Sequence, residues 1–248
     1  MWLRVGGAAA LVLAAHACPA QTAGVNRDAL RQIVQDQCAV HWRAQRNASP
    51  CVRIELPDAP RERDGYAVLA DRKGGAHFLL IPTRTLSGIE SPELLSAGAP
   101  NYFAAAWRAR DLVAAAVGHA VGRGAIGLAL NPRHARSQNQ LHIHIECLRT
   151  DIAKVLRASA RRLGADWTPL ELDGLEYLAE RAMGEDLSGS NPITLLAKRP
   201  EALRNIGDYT LVVAGMEFDE GPGFIFLADK GPAGELLLDS TCAIAALK

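Results

Sequence analysis

A chain of 248 residues with 49% apolar content can bury a substantial core, and its length suits one large domain or two fused lobes. Its 27 basic and 27 acidic residues cancel, and no basic run is interleaved with aromatics. That balance argues against nucleic acid as a partner and leaves a small or membrane-borne one.

Residues 1–20 read as a signal peptide or membrane anchor. Arg4 supplies the positive start, Val5 to Ala17 are almost wholly apolar, and small residues follow to Ala20. The expectation is an exported protein of a bacterial inner membrane or periplasm. No second apolar stretch is long enough to span a bilayer. Beyond the leader stand Cys38, Cys51, Cys147 and Cys242, an even number in a chain leaving the reducing cytosol. Three disulfide connectivities are open. Cys38 to Cys51 with Cys147 to Cys242 is preferred, and four buried free thiols are the alternative.

In chain order, Asn26 is a good N-cap, and Leu30, Ile33, Val34 and Cys38 recur at helical spacing, so an amphipathic helix is expected over residues 27–42. Residues 47–60 read as loop. Two short apolar runs, Tyr66 to Asp71 and Phe78 to Ile81, are strands joined by a turn at Arg72-Lys73-Gly74-Gly75, with Pro82 as a stop. Pro100 opens a long Ala-rich helix carrying Phe103, Trp107, Val113 and Val117, ended by Gly118. Ile126 to Leu130 and Leu141 to Leu148 follow as strands across a polar loop. Gly122-Arg123-Gly124-Ala125-Ile126-Gly127 matches a dinucleotide-binding fingerprint but precedes a strand instead of opening a helix, and is discarded.

The second of these strands carries the chemistry. Gln140, Leu141, His142, Ile143, His144 and Ile145 alternate strictly, so an extended chain sends both imidazoles to one face and the aliphatics to the other. Glu146 joins the histidines, whereas Cys147 shares the aliphatic face. One alternative is a merely polar outer face. Another is a zinc or iron site using His134, Glu146 or Cys147 as extra ligands.

The order of hairpin, helix and two strands ending in alternating histidines resembles the histidine-triad (HIT-like) superfamily of nucleotide hydrolases and transferases. The motif of that superfamily is His-φ-His-φ-His-φ-φ, with φ apolar, and residues 140–147 read Gln-Leu-His-Ile-His-Ile-Glu-Cys. A second match is Ala76-His77-Phe78-Leu79-Leu80-Ile81-Pro82. The runs at 138–147 and at 106–111 (Ala-Trp-Arg-Ala-Arg-Asp) resemble one branch, the CDP-diacylglycerol pyrophosphatase family.

What the resemblance implies is an α+β fold, a HIT-like antiparallel sheet with packed helices. It also implies a metal-free reaction without a cofactor, cleaving CDP-diacylglycerol at a membrane surface. His142 matches the nucleophile that forms a CMP-histidine intermediate, His144 the donor to phosphate oxygens, and His77 an outlying supporting histidine. Ser137 matches a hydroxyl beside the leaving oxygen, Asn131 an amide donor, and Asp71 the ribose-binding acid. Gln140 stands where the family has its first histidine; it can hydrogen-bond but cannot carry a proton. Apart from the resemblance, Arg133 and Arg136, in the loop feeding the histidine strand, are candidate diphosphate partners, since guanidinium matches phosphate in bidentate geometry.

The expected organisation is a leader (1–20), a HIT-like catalytic domain (21–150) and a C-terminal extension or degenerate HIT-like lobe (151–248). In that last part Glu171 to Ala182 reads as a strand, Asn191 to Leu203 as a helix, and Tyr209 to Phe218 and Gly223 to Asp229 as strands about a turn at Asp219-Glu220-Gly221-Pro222. The order echoes the first half, so a monomeric pseudo-dimer is the hypothesis. The other class of function kept open is an exported nucleotide- or metal-binding protein without turnover.

Overall fold

The structure is a computed structural model that describes residues 26–72 and 74–246; the leader and Lys73 lie outside them. Its frame is one antiparallel sheet built from β1 (Arg53–Glu55), β2 (Tyr66–Ala70), β3 (Phe78–Pro82), β4 (Ile126–Leu130), β5 (Ile143–Leu148), β6 (Thr168–Leu172), β7 (Leu175–Met183), β8 (Thr210–Phe218), β9 (Gly221–Asp229) and β10 (Leu238–Asp239). The order is β1-β2-β3-β5-β4-β8-β9-β7-β6, and the short β10 extends the sheet beside the end of β5. The halves of the chain meet at the β4–β8 ladder, Leu128 opposite Val213.

The period-2 alternation of the strands decides what covers each face. Leu80, Leu128, Ile143, Ile145, Val213, Phe224 and Phe226 share one buried cluster with residues of α3 (Tyr102–Arg108), α4 (Asp111–Val117), α6 (Pro192–Ala197) and α7 (Pro200–Leu203). On the opposite face, Ala67, Leu79 and Ile81 are covered by the helical stretch α1 (Ala29–Gln32), a π-helical turn (Ile33–Cys38) and α2 (Ala39–Gln45). Further along that face, Ala129, Val212, Ile225 and Leu227 are covered by α5 (Thr150–Ser159). His144 and Glu146 lie on this second face, between its two helical covers.

Both expected disulfides are present. Cys38–Cys51 (Cα–Cα 5.8 Å) pins the N-terminal helix to the loop before β1, and Cys147–Cys242 (5.0 Å) closes a separation of 95 residues.

The structure corrects several elements. The helix expected from Pro100 to Gly118 is two: Arg110 folds over the Trp107 ring at 4.4 Å and donates to the Trp107 carbonyl, taking an acceptor the helix would need to continue. Asn101 caps α3, and Gly118 ends α4 in the left-handed region (φ 79°). The expected helix 191–203 breaks before Pro200, which pushes Arg199 to extended geometry (ψ 116°). The single strand expected at 171–182 is the hairpin β6–β7, because Asp173 and Gly174 both take positive φ (55° and 75°), as a two-residue turn requires. The supposed loop 47–60 contains β1, the N-terminal helix runs three residues past its expected end, and β5 starts at Ile143 instead of Leu141. Helix α5 was not anticipated from the sequence.

Because the Cys147–Cys242 loop is long, replacing both cysteines by alanine should cost about 2–4 kcal/mol of unfolding free energy. Chemical denaturation of the double variant against the parent measures this, and an unchanged midpoint would show that the bond constrains nothing.

Candidate active site

The uncovered strip between α1 and a 3-10 turn at Gly234–Leu237 is a cleft of about 350 Å³. Its walls include Leu30 and Ile33 from the N-terminal helix, Asp71 and Arg72 from the β2–β3 turn, Asn131 and Ser137 from the β4–β5 connection, His142, His144, and Glu235. The long β4–β5 loop is stitched to the start of the N-terminal helix: Leu30 N donates to Gln138 Oε1 (3.2 Å), Arg27 Nε to Asn139 Oδ1 (3.1 Å) and Asn139 N to Arg27 O (2.7 Å). Ser137 is thereby held at the mouth.

His142 is 7% exposed, and its Nδ1 lies 2.7 Å from the carbonyl oxygen of Gln140. A carbonyl only accepts, so Nδ1 carries the proton and Nε2 keeps its lone pair. Burial, reinforced by neighbouring His144, lowers the pKa of this ring to about 4. At neutral pH it is uncharged, the form a nucleophile needs.

His144 sits in a denser network. Its Nδ1 is 2.9 Å from His77 Nε2, 3.4 Å from Glu235 Oε2 and 3.7 Å from Glu146 Oε1, while its Nε2 is 3.4 Å from Asn131 Nδ2. His77 also lies 3.1 Å from Glu146 Oε1 and 3.8 Å from Asp71 Oδ1. Burial lowers the pKa of His77, against the attraction of Glu146. His77, His144 and Glu146 bring ligand-type atoms within 4.8 Å of one another, a donor set compatible with a zinc- or iron-class ion. The 2.9 Å between the two rings is a hydrogen-bond length, so an ion would replace that bond. His142 is outside this set, as are His134, whose Nε2 lies 3.1 Å from the Gly231 carbonyl, and the disulfide-bonded Cys147.

Gln140 is fully buried and faces backbone: its Nε2 donates to Pro82 O (3.1 Å) and Arg84 O (2.9 Å), and its Oε1 accepts from Leu86 N (3.4 Å). It braces the chain leaving β3 and presents the carbonyl that fixes His142. The structure does not bring the two expected arginines to the cleft. Arg136 is spent on a bidentate pair with Glu90 (2.9 and 2.5 Å) and Arg133 on Asp208 (2.8 Å), each the nearer carboxylate. Burial raises the Glu90 carboxyl, but the hydrogen bonds and charge of Arg136, together with the Glu90 backbone amide and the Ser87 hydroxyl, leave the group below its ordinary range. Three polar cleft residues, Arg72, Gln138 and Glu235, escaped sequence reasoning, Gln138 although it opens the run at 138–147. Arg72 follows Asp71 directly and was legible as a neighbour; Glu235 lies 91 positions beyond His144, and no local pattern marks it.

A family model described as CDP-diacylglycerol pyrophosphatase matches residues 25–246. The chain belongs to the CDP-diacylglycerol pyrophosphatase family. It is also similar to the CDP-diacylglycerol pyrophosphatase of Yersinia pestis, 37% identical over 229 residues that cover 88% of this chain and 85% of that one. The residues matched by the family model span both halves of the sheet, including the C-terminal turn that carries Glu235.

Replacing Gln140 by alanine leaves the Leu86 amide and two carbonyls without this partner, which should cost about 1–3 kcal/mol of stability. Thermal unfolding checks it; unchanged stability with abolished turnover would instead give Gln140 a chemical role.

Proposed function

We propose that this chain is a hydrolase that cleaves the diphosphate of CDP-diacylglycerol to CMP and phosphatidate through a covalent intermediate on His142. The observation that carries the reading is the neutral His142 ring, held with Nε2 unprotonated in the one cleft where strand β5 also delivers His144. Family membership supplies the substrate class.

In the first half-reaction Nε2 of His142 attacks the cytidine-side phosphorus. A P–N bond forms as the bridging P–O bond breaks, and phosphatidate leaves with the bridging oxygen. In the second, water attacks the same phosphorus, the P–N bond breaks, CMP departs and the ring returns to its neutral form with the water's other proton released to solvent. His144 and Asn131, flanking the cleft together, donate to phosphate oxygens as charge builds in transfer. Ser137 stands by the leaving oxygen, Asp71 accepts from the ribose hydroxyls, and His77 supports His144 from behind.

The fold of this reading is HIT-like, with the C-terminal half as a degenerate second lobe. Its support is the mirrored strand order about the β4–β8 junction: hairpin β2–β3, helices and β4–β5 on one side, hairpin β6–β7, helices and β8–β9 on the other. The second half joins β8 to β9 through Asp219 and Glu220 alone and carries Ile225 and Leu227 on the face of β9 that corresponds to the histidine face of β5, so among the described residues only one such site remains. A native mass of one chain is the expected result. Export to a membrane surface fits the two disulfides; among the described residues no helix is long and apolar enough to cross a membrane.

Purified protein given CDP-diacylglycerol in a chelator should release CMP, and His142→Ala should abolish release while still binding CMP. Loss of release in the chelator, restored by zinc, would favour the metal reading at His77, His144 and Glu146; intact binding with no release at all would leave a binding protein. Since only neutral His142 attacks, the rate of CMP-enzyme formation should stay level from neutral pH down to about pH 5 and fall as the ring protonates near its pKa of about 4. A fall centred near the ordinary histidine value of about 6.5 would contradict the burial argument.

A further inference from the structure

The segment 231–242 returns from the far end of the chain to wall the cleft, and several independent ties hold it there. β10 pairs with β5, Leu238 opposite Leu148 and Asp239 opposite Cys147, and the Cys147–Cys242 bond lies just beyond. Arg149 donates from its backbone N to Leu237 O (3.0 Å) and from Nη1 to Leu236 O (3.1 Å), and Ala76 N donates to Ser240 O (2.8 Å). Gly234 rests against the sheet so closely that a Cβ there would stand 2.8 Å from Val212 Cγ2 and 3.0 Å from Thr210 Cγ2. So much fastening around a short turn needs a reason, and the side chain it delivers to the cleft is Glu235.

Glu235 touches two groups at once. Its backbone N–H donates to Asn131 Oδ1 (3.4 Å), which turns Nδ2 of that amide toward His144 Nε2 (3.4 Å); its carboxylate Oε2 lies 3.4 Å from His144 Nδ1. A carboxylate at Nδ1 favours a proton there and stabilises the positive charge the ring acquires when Nε2 also donates. The same side chain lies near His77 and His142, with Asp71 and Glu146 as the other carboxylates facing this cluster.

We propose that Glu235 is a positioning residue of the reaction, orienting the Asn131 amide through its backbone and the His144 ring through its carboxylate so that both present donors to the substrate phosphate. This rests on the reading of His144 and Asn131 as phosphate-contacting groups. It makes the C-terminal segment part of the catalytic apparatus, with the disulfide and β10 as the latch that holds it.

The test is steady-state CMP release from CDP-diacylglycerol by full-length Glu235→Ala, Glu235→Gln and Glu235→Asp proteins, alongside thermal unfolding. The Glu235 side chain is 27% exposed, so each variant should fold. Loss of the carboxylate in the Ala and Gln variants should lower kcat on the order of 10- to 100-fold, with KM within about 2-fold and the unfolding midpoint unchanged. Glu235→Asp, which keeps the charge, should recover part of the loss. Wild-type kcat in either neutral variant, or a loss matched by a fall in the unfolding midpoint, overturns the proposal. His142→Ala that still releases CMP would overturn the underlying reading instead, so the two failures are distinguishable.

Discussion

The hydrogen bond from the His142 ring to the backbone of Gln140 is the constraint on which the site depends. It fixes which nitrogen is protonated and sets the ring angle, and it works only while Gln140 itself is immobile. That immobility comes from the Gln140 amide, spent on the chain leaving β3 at Pro82, Arg84 and Leu86. A residue that cannot take part in proton transfer thus acts through framework, as a brace. Burial then keeps the His142 ring neutral, the form that the proposed attack on phosphorus requires.

Around that pair the sheet is organised so that one face is filled and the other is interrupted. Ile143, Ile145 and Cys147 enter the large cluster beneath α3 and α4, while His144 and Glu146 emerge where neither α5 nor the N-terminal helix covers the strand. The gap is bounded by parts distant in sequence. The N-terminal helix is tied to the β4–β5 loop by Arg27, Leu30 and Asn139, and the C-terminal turn is tied to β5 by pairing and a disulfide. Both ends of the described chain therefore border the same cleft.

Local chemistry made much of this readable. Alternation along 140–145 placed the histidines on one face and Cys147 on the other, and the glycine-rich turn after Asp71 fixed the β2–β3 hairpin. Gly118 marked a true helix end. The boundaries that failed did so where a side chain overrode the pattern, as with Arg110 capping Trp107, or where a turn signal sat inside an apolar run, as with Asp173-Gly174. Arg133 and Arg136 show the limit of reading charge from sequence. Proximity to the histidine strand was correct, but Asp208 and Glu90 claim the guanidiniums, and those carboxylates are distant along the chain. Glu235 is the converse case, a cleft side chain brought in by tertiary structure alone.

The claim that His142 bonds covalently to the nucleotide is tested most directly by stereochemistry at phosphorus. A CDP-diacylglycerol made chiral by sulfur at the cytidine-side phosphorus would be hydrolysed in heavy-oxygen water and the configuration of the thio-CMP determined. Two in-line displacements, onto His142 and then onto water, give net retention. Net inversion would mean that water attacks directly and that no histidine adduct lies on the path.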